Sequence, residues 1–377
     1  MSNIFSRLRT LFIQVSIGLL FLEIGSYFAT KYELLLVNST PRIYSKNFNH
    51  PDILRGRTER DAFGAWHVKN STYRQSSNCF DITMSFNELG ARDSSFNLAG
   101  DDSIILLGDS FAEGYGVSLE HTSQYLLEKK IRKQVLNFGA SGSFGPLQEL
   151  ILYKEFKEKV SHSGLIIFIL PANDFEDNDK NIWSLIDKTR YRPYFGDGQE
   201  ILKPFYFKEA IKRDMFDDPR GLRSLVKDHF WLSNSIRTVL LILRNDTVSN
   251  LGAQPRSKSY YYEAKEKHQI QLVTAYKKIV ELADKKDTLF VVIPSAADIE
   301  NFKNTSKKYL YKKQHWFSEL NNLTSAKDQR VELLDLLDYL PNETENLFLP
   351  CDSHWSTDGN IWAANTIHEF ISNKKLF

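Results

Sequence analysis

Short apolar runs bounded by polar residues and turn formers organise this chain. They occur at 103–107 (SIILL), 135–138 (VLNF), 165–170 (LIIFIL), 289–293 (LFVVI) and 331–335 (VELLD). Runs of this length read as strands buried on both faces. Helical stretches alternate with them: near 118–131, from Pro146 to about 160, at about 262–285, near 297–321, and from about Gly359 to Ile371. Pro146 fits a first helical turn, where a missing N–H costs nothing. The alternation predicts an α/β fold with a mostly parallel sheet covered on both faces.

Two regions break the pattern. Residues 31–100 mix polarity and aromatics without a long helix, with short strands at Thr72–Arg74 and Ile82–Phe86. They read as a lead-in that wraps the main domain, which runs from 101 to 377. From about 180 to 260 lies an insertion, with a hairpin at Gly196-Asp197-Gly198 and then a mostly helical, polar stretch. Its place above the sheet suits substrate selection.

The amino terminus carries a different signal. Residues 11–29 (LFIQVSIGLLFLEIGSYFA) are apolar apart from Gln14 and Glu23, and as a helix they span about 28 Å, close to the hydrocarbon thickness of a bilayer. Arg7 and Arg9 precede the segment. That bias predicts a cytoplasmic tail (1–10), a transmembrane anchor (11–30) and a body on the extracytoplasmic side, periplasmic or extracellular. A cleaved signal peptide competes, but Tyr27 is bulky where a small residue is wanted before cleavage at Ala29. A buried amphipathic helix also competes, because Glu23 is expensive in lipid unless a partner protein satisfies it.

Composition narrows the chemistry. The 48 basic and 47 acidic residues give a formal charge of +1, which predicts no nucleic-acid partner. Two cysteines, Cys79 and Cys351, leave two readings: a disulfide if the body is outside the cytoplasm, or separate free thiols. They provide no zinc or iron–sulfur cluster, and the expected chemistry needs no cofactor or metal.

Ser110 follows the first apolar run, where ligands of open parallel sheets bind. As a helix start it offers N–H groups to developing negative charge, although a serine there can simply cap. His354, in CDSHWSTDG, is the candidate general base, and Asp352 two residues earlier the acid that orients it. A surface turn or part of a metal site would also accommodate that pair. After the third run, Asn173 can donate its amide to an oxyanion, and Gly142, after the second, can offer a backbone N–H. Taken singly, Asn173 also fits an Asx turn and Gly142 an ordinary turn. The case is positional: each candidate follows a predicted strand or precedes the last helix.

These residues carry a resemblance to the SGNH (GDSL-like) hydrolases, a family of esterases and some carbohydrate acyltransferases. The first block is Gly108-Asp109-Ser110, the second contributes Gly142, and the third reads Pro171-Ala172-Asn173-Asp174 with proline in place of glycine. The fifth reads Asp352-Ser353-His354, one residue shorter than usual, and so resembles the branch related to alginate-acetylation proteins. Asn87-Glu88-Leu89-Gly90-Ala91-Arg92-Asp93 resembles a lead-in of membrane-tethered bacterial members. The likeness covers roughly 85–375, without the insertion. It implies a three-layer, flavodoxin-like α/β/α sandwich with strand order 2-1-3-4-5. It also implies a Ser110–His354–Asp352 triad, and an oxyanion hole from Ser110, Gly142 and Asn173. The expected function is an esterase acting on an acylated, possibly O-acetylated, carbohydrate or a lipid. The alternatives are an O-acyltransferase working with cell-envelope polysaccharide machinery, and a non-catalytic carbohydrate-binding protein on the same scaffold.

Overall fold

The computed structural model describes residues 2–31, 57–77, 79–96, 102–186, 192–196, 200–205, 230–233, 235–236, 239, 259–304, 309–325 and 330–377. Lead-in residues 32–56, the hairpin tip 197–199 and most of the polar stretch 206–258 lie outside them.

The chain opens with helix α1 (Ser2–Lys31), apolar from Phe5 to Ala29 and long enough to cross a membrane. In the lead-in, β1 (Arg57–Asp61) pairs antiparallel with β2 (Gly64–His67), and β3 (Ser71–Ser76) with β4 (Asp81–Phe86). The β1–β2 pair was not expected from the sequence, because two four- to five-residue strands leave no measurable period. Then come β5 (Ile104–Leu107), α2 (Ser110–Glu113), α3 (Ser123–Ile131), β6 (Val135–Asn137), α4 (Pro146–Phe156), β7 (Gly164–Ile169), α5 (Pro171–Asp174) and α6 (Lys180–Ile186). The insertion contributes the hairpin β8 (Arg192–Phe195) and β9 (Ile201–Phe205), which are antiparallel. The α/β pattern resumes with α7 (Tyr260–Glu263), α8 (Glu266–Ala283), β10 (Asp287–Val292), α9 (Ala296–Asn304), α10 (His315–Leu323), β11 (Val331–Asp335) and α11 (Thr357–Lys374).

Five strands form one parallel sheet in the order β11-β10-β7-β5-β6. Side chains alternate across it. Ile105, Leu107, Ile167 and Phe290 join one core with residues of α4, α8 and α10. Ile104, Leu106, Phe168 and Val291 join the other with residues of α2, α3 and α11. Two-sided burial explains why these strands read as unbroken apolar runs.

Two helices depart from expectation. The stretch near 118–131 is helical only from Ser123, after a 3₁₀ turn at Leu119–His121. Thr122 is extended, and its hydroxyl accepts from the Tyr125 N–H, so it caps α3 rather than continuing a helix. The predicted helix near 297–321 is two, α9 and α10, with a 3₁₀ turn at Leu310–Lys313 before α10. The break turns Tyr311 inward, against Tyr261 and within 2.5 Å of Asp335.

Candidate active site

The order β6-β5-β7 makes β5 the strand where the chain reverses direction across the sheet, so loops after β5 and β7 diverge around a crevice. Ser110 opens α2 directly after β5, and Asp109 caps that helix by accepting from the Phe111 N–H at 2.9 Å. Gly108 has φ +150°, and a Cβ there would meet the Ala112 and Phe168 side chains at 2.8 and 2.9 Å. A side chain at 108 would therefore force Ser110 away from the sheet.

The loop before α11 supplies the histidine. Leu349 N–H donates to the His354 carbonyl at 2.8 Å, the Asp352 N–H donates to Leu349, and Ser356 caps α11 through the Gly359 N–H. A disulfide joins Cys351 to Cys79, tying the loop to the lead-in. His354 Nδ1 contacts Asp352 Oδ1, and its other ring nitrogen, Nε2, lies 2.7 Å from Ser110 Oγ. A carboxylate at Nδ1 fixes the proton there, leaving Nε2 to accept the Ser110 hydroxyl proton. Tyr115 stacks on the imidazole at 4.3 Å between centroids. Burial opposes the Asp352 charge, but the hydrogen bonds and charge of His354 outweigh it and hold the carboxyl below its usual range.

The loop after β6 lies against α2. A Cβ on Gly139 would fall 2.3 Å from the Glu113 nitrogen, so only glycine permits this approach. Asn137 donates from its amide to the Ala112 carbonyl at 2.9 Å and accepts from the Gly139 N–H at 2.9 Å. Glu113 Oε2 accepts from the Ser141 N–H at 2.7 Å, while its Oε1 lies 2.7 Å from His67 Nε2. Both side chains are buried. From the insertion, buried Arg192 donates to the Gly142 carbonyl at 3.0 Å and to the Asp177 carbonyl at 2.6 Å, with its guanidinium 4.0 Å from the Trp183 ring centre. The 141–142 peptides are thus gripped from α2, whose Glu113 lies beside His67 of the lead-in, and from the insertion. Sequence reasoning singled out Gly142 and missed these supports.

No protein-family model and no curated protein matches the chain. Solved structures do. A member of the lipolytic G-D-S-L family from Veillonella parvula is 12% identical, with 72% of this chain and 98% of that one covered and a TM-score of 0.37. A lipase/acylhydrolase from Enterococcus faecalis is 14% identical, with 72% and 96% covered and a TM-score of 0.35. A family 2 carbohydrate esterase with its carbohydrate-binding domain, from Corynascus thermopiles (Myceliophthora fergusii), is 12% identical, with 80% and 75% covered and a TM-score of 0.39.

Asn173 occupies the crevice on the β7 side. Its amide nitrogen donates to Asp109 Oδ2 at 3.1 Å and to Asp177 Oδ2 at 3.0 Å, which commits both of its hydrogens. Donation to an oxyanion therefore requires exchange of one of these bonds. Behind it crowd Asp109, Asp174 and Glu149. Burial raises all three above the usual carboxyl range, with the Glu113 charge adding to the rise at Asp109 and the charges of Asp109 and Asp177 adding to it at Asp174 and Glu149. Arg92, from the lead-in motif, is buried and donates to the carbonyls of Glu113, Gly114 and Val117, so it braces the end of the serine helix.

Proposed function

We propose that the chain is a membrane-anchored serine esterase acting on an acylated carbohydrate or lipid of the cell envelope. The observation that carries the reading is the 2.7 Å separation of Ser110 Oγ and His354 Nε2, with Asp352 on the opposite ring nitrogen. A serine beside a capping turn needs no such partner; a nucleophile does.

In the proposed reaction His354 Nε2 takes the Ser110 proton as Oγ attacks the ester carbonyl. Backbone N–H groups of Ser110 and Gly142 stabilise the tetrahedral oxyanion, and the Asn173 amide joins them by releasing one carboxylate. Collapse breaks the ester C–O bond, and the departing alcohol takes the proton from His354. Water then attacks the acyl-serine, giving its proton to His354, and release of the acid restores the Ser110 hydroxyl. Asp352 remains ionised and steadies the imidazolium.

Apolar α1 supports anchorage, with the body on the extracytoplasmic side, where the Cys79–Cys351 disulfide persists. The test is acid release from short-chain acyl esters and O-acetylated oligosaccharides by the full chain in nanodiscs, beside Ser110→Ala. Release that Ser110→Ala abolishes is the expected result. Turnover unaffected by Ser110→Ala would refute it, and acceptor-dependent transfer in place of acid release would make the enzyme an acyltransferase.

A further inference from the structure

The Glu23 carboxylate has two partners in this chain. Its oxygens accept from the backbone N–H groups of Trp231 at 2.7 Å and Leu232 at 2.8 Å. Residues 231–233 and 235–236 are helical, so the carboxylate closes the start of a helical segment of the insertion, where N–H groups otherwise lack acceptors. Tyr27, one turn after Glu23, packs edge-on against Trp231 with ring centres 5.6 Å apart.

The rest of this segment has two unlike sides. Trp231 and Ser235, four residues apart, are buried. Phe230, Ile236 and Val239 are 45%, 51% and 41% exposed. The segment is held against α1 through Glu23 and Tyr27, and on α1 Phe12, Leu20 and Phe21 are likewise 60–72% exposed. With Arg9 at the cytoplasmic headgroups, Glu23 rises about 21 Å along the helix, short of the roughly 30 Å hydrocarbon thickness. Unpaired there it would be costly, whereas paired with two N–H groups its charge is met. Tyr27 and Trp231 then fall at the level where amphipathic rings gather.

We infer that the described residues of this part of the insertion, 230–233, 235–236 and 239, form a second membrane contact, docked on the anchor through Glu23 and seated with Ile236 and Val239 in the lipid of the outer leaflet. It is an interfacial element rather than a second span. Two attachments hold the body at one attitude to the bilayer, which a single flexible tether does not. The helix α1 must then stay on the mature protein. The inference rests on α1 spanning a bilayer and is independent of the chemistry at Ser110.

The described residues contain no free cysteine, since Cys79 and Cys351 are paired, so an introduced thiol there can be labelled selectively. The full chain, with Ile236→Cys, Val239→Cys, Phe12→Cys or Ile361→Cys carrying a nitrobenzoxadiazole probe, is placed in phosphatidylcholine–phosphatidylglycerol nanodiscs containing doxyl-labelled lipid. Probes at 236 and 239 should be quenched several-fold more than the one on α11 at 361, approaching the α1 probe at 12. Glu23→Ala should abolish the quenching at 236 and 239 and spare that at 12; Glu23→Gln, which keeps one acceptor, should fall between. Quenching at 12 without quenching at 236 and 239 overturns the lipid contact and leaves the anchor standing. No quenching at 12 overturns both, and quenching at 236 indifferent to Glu23→Ala overturns the clamp. None of these readouts involves ester hydrolysis, so the esterase reading stands or falls separately.

Discussion

Replacing Glu113 separates support of the loop at 141–142, the proposed oxyanion loop, from charge. In Glu113→Ala, the half-buried Ser141 N–H loses its acceptor at 2.7 Å, and buried His67 loses the carboxylate oxygen 2.7 Å from its Nε2. Loss of a hydrogen bond to a charged group costs about 1–3 kcal/mol, so stability should fall by about that much. Deleting one oxyanion donor outright costs about 2.7–4 kcal/mol in kcat. Displacing the loop by a fraction of an ångström forfeits part of that, so kcat should fall about 10- to 100-fold with KM little changed. Glu113→Gln is the decisive companion. The amide oxygen can accept from Ser141, and the amide NH₂ can donate to His67 Nε2, because His67 Nδ1 faces the Gly90 carbonyl and keeps its own hydrogen. Gln should therefore restore kcat to within about threefold and recover most of the stability. The assay is steady-state hydrolysis of a short-chain aryl ester by the full chain, alongside thermal unfolding. A folded Glu113→Ala protein with undiminished kcat would refute loop support. Glu113→Gln as impaired as Ala would show that the charge, not the acceptor geometry, matters.

Asp352→Asn should lower kcat on the order of 10³- to 10⁴-fold, because an amide facing Nδ1 imposes the wrong histidine tautomer, and should slightly lower stability at neutral pH, because the carboxylate held below its usual range favours the fold; full activity in the Asp352→Asn variant would remove Asp352 from the triad. Reducing the Cys79–Cys351 bond, or the double Cys→Ser replacement, frees the loop before His354 and restores chain entropy worth up to about 5 kcal/mol to the unfolded state. Tm and kcat should fall together, and kcat unchanged by reductant in a protein shown to be reduced would refute the loop argument. Burial raises Asp335 to about 7, against the hydrogen bond from Tyr311. The folded state then holds a proton that the unfolded chain releases near pH ~4, so this group's contribution to stability falls as pH rises from about 4 to 7. Asp335→Asn, neutral throughout, should match wild type only below about pH 4, exceed it by about 1–2 kcal/mol at pH 5 and by up to about 4 kcal/mol at pH 8 in thermal or denaturant unfolding; a difference independent of pH would refute it.

What the sequence revealed and what it concealed have one physical cause. A strand buried on both faces must be apolar at consecutive positions, so β5, β7 and β10 announce themselves locally. Loops at the carboxyl ends of β5 and β7 inherit that legibility, which is why Ser110 and Asn173 could be named from the sequence, whereas the Asp352–His354 loop was marked only by the helix that follows it. The supports have no such signature. Glu113 reads as an ordinary helical charge, and Arg192 as a basic residue beside a surface hairpin. Their meaning lies in partners far along the chain, His67 and Ser141 for one, Gly142 and Asp177 for the other. Nothing local requires a charged residue to be buried, because burial is conferred by whatever the topology packs over it. Asn173 shows the same limit from the opposite direction. Its position was legible, but the two carboxylates that hold both amide hydrogens were not, and they decide when that amide can serve an oxyanion. Glu23 is the intermediate case: composition alone shows a carboxylate in an apolar helix that needs a partner. Only the fold shows that the partner is the chain's own insertion rather than another protein.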